Sequence, residues 1–140
     1  VLTPHPGEMA RLLGISTVAV NADRIGAARC LAGLTGAAVL LKGARTVIAT
    51  PDGRVSINSS GNPGMATPGM GDVLSGIVGA LLGQGIAPGD ALVLGAFVHG
   101  LAADRLAKRL GPVGYLAGDL AEALPATFAL LLSQLGDARS

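Results

Sequence analysis

From Asn21 to about Thr35 the apolar residues Ile25, Ala28, Leu31, Ala32 and Leu34 recur near helical spacing, which predicts an amphipathic covering helix capped by Asn21 and stopped by Gly36. Ahead of it, Val1 to Thr3 reads as the tail of a strand, and Pro4, Pro6 and Gly7 enforce a loop before a short helix from about Glu8 to Leu13. Apolar β-leaning runs over 37–42, 46–50 and 54–58 predict three strands, the last two joined as a hairpin by the turn Pro51-Asp52-Gly53. A loop rich in Gly, Ser, Asn and Pro fills 59–71. Helices follow over 72–82, about 89–110, and two shorter stretches ending near Leu135, the last opened by Pro125. This order predicts one unit over 1–140, an α/β sheet covered by helices, with the functional loop at a strand's carboxyl end.

Composition narrows the function. The 140 residues are 50% hydrophobic but only 2% aromatic, and 10 basic against 9 acidic side chains leave a formal charge of +1 with no basic cluster. Nucleic acid is excluded by the lack of both a phosphate-tracking patch and stacking platforms. The longest charge-free stretch, between Asp72 and Asp90, is interrupted by four glycines before Gly89, by Gln84 and by Pro88. It falls short of the ~20 apolar residues that a membrane span needs. The single cysteine, Cys30, has no partner for an internal disulfide and reads as a small core residue of its helix, which favours the cytoplasm. Val1 at the start predicts that the chain begins inside a longer protein.

The segment Gly61-Asn62-Pro63-Gly64-Met65-Ala66-Thr67-Pro68-Gly69-Met70-Gly71-Asp72-Val73-Leu74-Ser75-Gly76 is a glycine-dense loop running into an apolar helix. Successive N–H groups of such a loop converge on one concavity, and a helix start adds positive potential there, so Gly69, Met70 and Gly71 are candidates for an anion hole. Asp72 has two readings. It is a helix-start carboxylate favoured by the dipole, or a general base beside a phosphate site that takes the proton of an attacking hydroxyl.

That segment, GNPGMATPGMGDVLSG, resembles the signature of the ribokinase-like superfamily, and its GMAT and GDVLSG portions are similar to those of the ADP/ATP-dependent NAD(P)H-hydrate dehydratases. Thr3 to Glu8 is similar to that family's TPHPGE loop, and Lys42-Gly43-Ala44-Arg45-Thr46 to its KGxxT segment. The resemblance implies a ribokinase-like layered fold, present here as a C-terminal subdomain, because a complete domain is roughly twice this length. It also implies metabolite repair: the ring hydroxyl of hydrated NADH or NADPH is phosphorylated from ADP or ATP, and loss of phosphate restores the dihydronicotinamide.

By the same resemblance Asp72 would be the base acting on the substrate hydroxyl, Gly71 and Gly69 would hold the transferred phosphoryl group, and His5 would face the hydrated nicotinamide. Lys42, Gly43, Ala44, Arg45 and Thr46 would line the adenine nucleotide site with Met70 nearby, while Asn62 and Thr67 orient the loop or a phosphate oxygen. Mg2+ is expected on nucleotide oxygens and water; no protein metal cluster is visible, and Glu8 is either a helper through water or a helix-start carboxylate. His99 reads as a packed or partly exposed helix residue. The partners implied are the NAD(P)H hydrate, an adenine nucleotide, the missing part of the same domain and a second copy in a homo-oligomer. Two other readings remain: a ribokinase-like kinase of a sugar or vitamin-precursor alcohol, and a nucleotide-binding module without catalysis.

Overall fold

A computed structural model describes residues 1–137, with side-chain surroundings as far as residue 134. Of the polar end at Asp137 to Ser140, residues 138–140 lie outside the described residues. In chain order the elements are α1 (Pro6–Leu13), α2 (Thr17–Ala22), α3 (Arg24–Thr35), β1 (Val39–Leu41), β2 (Val47–Ala49), β3 (Val55–Ile57), a 3-10 turn (Pro63–Met65), α4 (Met70–Gly83), α5 (Pro88–Leu110) and α6 (Ala117–Asp137).

The strands lie in the order β1-β2-β3, antiparallel throughout. The register sets Val39 opposite Ala49 and Leu41 opposite Val47, with Leu40 opposite Ile48 between them. Because side chains alternate along a strand, this sends the two sets to opposite faces. Val39, Leu41, Val47 and Ala49 pack with Met9, Val20, Ala28 and Leu31 of α1 to α3. Leu40 and Ile48 pack instead with Leu74 and Val78 of α4 and Leu92 and Ala96 of α5. The sheet is thus the middle of three layers. The strand tail expected at Val1 to Thr3 is a single parallel bridge, Leu2 to Val39, with Leu2 N–H donating to Ala38 O at 2.9 Å and Leu40 N–H to Leu2 O at 2.8 Å.

Four expectations need correction. Asn21 does not cap the covering helix: it lies in α2, which the apolar pattern did not reveal, and Asp23 caps α3 by accepting from Gly26 N–H at 2.7 Å. The buried stripe of α3 is Ala27, Ala28, Leu31 and Ala32, while Ile25 and Leu34 are exposed at 41% and 72%. The small side chains of Ala27, Ala28 and Ala32 pack beside Leu31 against the β1 and β2 face. Cys30 faces outward, exposed, and is no core residue. Pro125 lies inside one continuous helix, α6, where two were expected. Leu120 and Thr127, both fully buried, anchor α6 on either side of the proline, and this packing outweighs the lost backbone bond.

Candidate active site

The glycine-dense loop ends where Gly69, at φ 88°, turns the chain left-handed and starts α4. Met70 N–H donates to Thr67 O at 3.4 Å and Asp72 N–H to Gly69 O at 3.0 Å. Among the described residues the N–H of Gly71 meets no acceptor within the chain, so it is the first-turn donor free for an anion. Gly71 also sits under a cation: a Cβ added there would stand 3.4 Å from Lys42 Nζ.

Two clefts meet at this point. The smaller, about 530 Å³, is lined by Thr3, Glu8, Arg11, Lys42, Gly71, Asp72 and Ser75 among others. The larger, about 790 Å³, runs along Lys42 to Thr46, then Asn58 to Asn62, Met65, Thr67 and Met70, to His99. Among the described residues only Lys42 and Gly71 line both, so together they form the wall between the clefts. Asp72 is exposed on the smaller side, across that wall from the Lys42–Thr46 segment.

Lys42 is placed from both neighbours. Its N–H donates to Pro4 O at 2.8 Å, which ties the end of β1 to the first loop. Its Nζ lies 3.6 Å from Glu8 Oε2, and the same carboxylate oxygen accepts from the His5 N–H at 2.7 Å. That backbone bond holds the Glu8 carboxyl below its ordinary value against the opposing effect of burial, and Lys42 and His5 add to the lowering. His5 is the N-cap of α1: its Nδ1 accepts from Gly7 N–H at 3.0 Å and Glu8 N–H at 3.1 Å, completing a reciprocal cap with Glu8. Nδ1 is thus spent on the cap, while Nε2 stands 3.4 Å from Glu8 Oε1. His5 lines the larger cleft and not the cleft of Asp72.

The loop itself is held by a network that the sequence did not reveal. Asn62 Oδ1 accepts from Tyr115 Oη at 2.6 Å and from Gly64 N–H at 3.0 Å, and its Nδ2 donates to Asp104 Oδ1 at 2.9 Å. Asp104 Oδ2 accepts from Gly61 N–H at 2.9 Å. Burial raises the Tyr115 phenol above its ordinary value, with Asp104 acting in the same direction, so it stays protonated and donates. Thr67 donates to Gly64 O at 3.1 Å. Asn62 and Thr67 are thus engaged within the loop, while Tyr115 and Asp104 sit 53 and 42 residues from Asn62 along the chain, too far for a local motif to signal.

Gly71, Met70 and the whole Lys42–Thr46 segment border the larger cleft; Gly69 borders neither and serves the turn. His99 is buried at 6% exposure, with Nε2 lacking a partner among the described residues. Burial pushes its imidazole below the ordinary value, opposed by the backbone of Met70. Among the described residues no three His, Cys, Asp or Glu side chains gather as a metal cage, and no helix is long and apolar enough to cross a membrane.

A family model described as NAD(P)H-hydrate dehydratase matches residues 1–126. Over 125 residues the chain is 57% identical to a bifunctional NAD(P)H-hydrate repair enzyme of Moorella thermoacetica, covering 89% of this chain and 24% of that protein. It is 49% identical over 124 residues to an ADP-dependent (S)-NAD(P)H-hydrate dehydratase of Neisseria meningitidis serogroup B, covering 88% and 42%. The ADP/ATP-dependent NAD(P)H-hydrate dehydratase of Bacillus subtilis, co-crystallised with ATP/Mg2+, is similar at a TM-score of 0.87 and 32% identity, over 92% of this chain and 47% of that one. The ribokinase of Thermotoga maritima, at a TM-score of 0.54 and 17% identity over 88% of this chain and 41% of that one, shares the fold alone. The three layers are therefore a ribokinase-like α/β fold, and the chain spans between 24% and 42% of the length of these two curated relatives.

Proposed function

The chain belongs to the NAD(P)H-hydrate dehydratase family, and from that premise we propose that it is the nucleotide- and phosphate-handling, C-terminal part of an enzyme that dehydrates hydrated NADH or NADPH at the expense of ADP or ATP. One observation carries the reading: an acid and a nucleotide-type loop stand in separate clefts that share a wall of one cation and one free N–H. Phosphoryl transfer depends on such positioning and charge stabilisation more than on covalent chemistry by the protein.

In this proposal the larger cleft takes the adenine nucleotide along Lys42, Gly43, Ala44, Arg45 and Thr46, and brings its terminal phosphate to the wall. Gly71 N–H and Lys42 Nζ hold that phosphoryl group, with Met70 beside it and Gly69 setting the turn. The hydrated nicotinamide enters the smaller cleft. Asp72 accepts the proton of its ring hydroxyl as the hydroxyl oxygen bonds to the terminal phosphorus and the bond to the departing nucleotide oxygen breaks. Loss of phosphate from the ring carbon and of a proton from its neighbour restores the dihydronicotinamide. His5 is assigned to the hydrated nicotinamide from the side of the larger cleft, which it lines, and Asn62 and Thr67 keep the loop in shape.

Mg2+ fits this donor set as an ion carried on nucleotide oxygens and water, with the Glu8 and Asp72 carboxylates bordering the smaller cleft. When bound it neutralises phosphate charge. A homo-oligomer in the cytoplasm completes the proposal; an exposed, unpaired Cys30 suits a reducing compartment.

The test is product analysis of the full-length parent protein with hydrated NADPH, Mg2+ and ADP or ATP in parallel, following the reduced-nicotinamide absorbance. Recovery with one nucleotide supports the dehydratase and selects its donor. No recovery, with a stable phosphate ester formed from a simple alcohol instead, replaces the reading with an alcohol kinase.

A further inference from the structure

The Lys42–Thr46 segment leaves β1 through an unusual backbone path, with Gly43 at φ 139° and Arg45, a non-glycine, at φ 54°. Such conformations persist only where surrounding groups hold them. The second half is closed locally, Thr46 Oγ1 donating to Gly43 O at 3.0 Å. The first half is held from a different element. Arg24, the first residue of α3, donates from one guanidinium nitrogen to Leu41 O and to Lys42 O, each at 3.2 Å. The same guanidinium presses against Gly43, where an added Cβ would stand 3.0 Å from both terminal nitrogens.

We propose that Arg24 is a positioning residue of the nucleotide cleft, setting the path of the Lys42–Thr46 segment through the carbonyls of Leu41 and Lys42 without touching a ligand. Arg24 borders neither cleft, and its guanidinium is turned to the Leu41 and Lys42 carbonyls. With the two carbonyls turned back toward α3, Gly43, Ala44 and Arg45 stay exposed along the larger cleft and Lys42 extends to Gly71. Both carbonyls are met by one terminal nitrogen while the flat guanidinium lies against Gly43, a packing that a lysine ammonium does not reproduce. Asp23, the cap of α3, fixes the helix start from which Arg24 reaches, so the placement of the nucleotide segment is built from the α3 terminus. The inference rests on the nucleotide reading of that cleft.

The experiment is equilibrium binding of ADP and of ATP to the full-length parent protein by calorimetry, which needs no turnover, alongside steady-state kinetics. Arg24→Ala is expected to weaken nucleotide binding on the order of tenfold, as loss of charge-assisted hydrogen bonds does, and to raise the nucleotide KM while the KM for the hydrated dinucleotide stays near the parent value. Added guanidinium ion at millimolar concentration should restore part of the affinity in Arg24→Ala and none in the parent. Arg24→Lys should fall between the two, and it carries the same comparison if the alanine variant does not fold. Nucleotide affinity equal to the parent's in either variant overturns the inference, as does an equal loss for both ligands without guanidinium rescue. If the parent itself binds neither ADP nor ATP, the nucleotide reading of the cleft fails and this inference fails with it. If the parent binds but the variants match it, only the role of Arg24 is lost.

Discussion

Two titrating side chains give the residue scale its measurable consequences. His99 is buried with its imidazole below the ordinary value near 6.5, so the unfolded chain binds a proton there that the folded chain refuses. Stability from this group is present above that value and is lost as pH falls below it. The melting temperature should drop as pH falls below about 6.5, and His99→Leu should flatten that slope. Glu8 acts in a separate, lower window: its carboxyl is held below 4.5, chiefly by the His5 N–H, so its contribution is lost only as pH falls from about that value. His99→Leu should leave this lower limb unchanged. Asp72→Ala belongs to the same scale. Turnover of the full-length protein should fall between about 100- and 10,000-fold, the range for a lost general base, while calorimetry finds nucleotide affinity near normal; unchanged turnover would remove the base assignment. At this scale the motif residues were legible because their types and spacing carry chemistry. The commitment of His5 Nδ1 to the α1 cap was not, because a histidine between prolines carries no sign of which nitrogen is spent on backbone.

At the scale of elements, the glycine-dense loop is held to the helices around it by contacts that leave no space for a side chain. A Cβ on Gly64 would meet Pro112 O at 2.5 Å and Tyr115 Oη at 2.8 Å. Gly64→Ala should therefore displace Tyr115 from Asn62, costing about 1–3 kcal/mol in denaturant unfolding and weakening nucleotide binding with it. Helix α6 offers the opposite case. Pro125 is exposed within its interior, where proline is less favourable than alanine by about 3 kcal/mol. Pro125→Ala should raise the melting temperature, and an unchanged or lower one would mean that the break it introduces is needed for packing on α5. Strong periodic segments such as α4 and α5 were readable to within two residues, as were the strands, because period and turn residues agreed. Helix α2 was not: six residues beginning at Thr17 are too few to set a period, and the capping by Ser16 and Asp23 emerges only once both ends are in place.

For the whole molecule, the apolar pattern indicated a sheet covered by helices but not which helices take which face. That division follows from the register of β1 on β2, a long-range fact that short apolar strands do not encode. The same division brings the end of β1 from one side and the start of α4 from the other to a single wall, Lys42 beside Gly71. If the proposed ligands sit across one wall they are bound together, so initial-rate lines at varied nucleotide and hydrated dinucleotide should intersect; parallel lines would require the ligands to take turns. A shared wall also fixes handedness. On the proposed reading the phosphoryl group would change owner in a single crossing of that wall, and a nucleotide made chiral at its terminal phosphorus should give an ester, trapped before elimination, with that centre inverted.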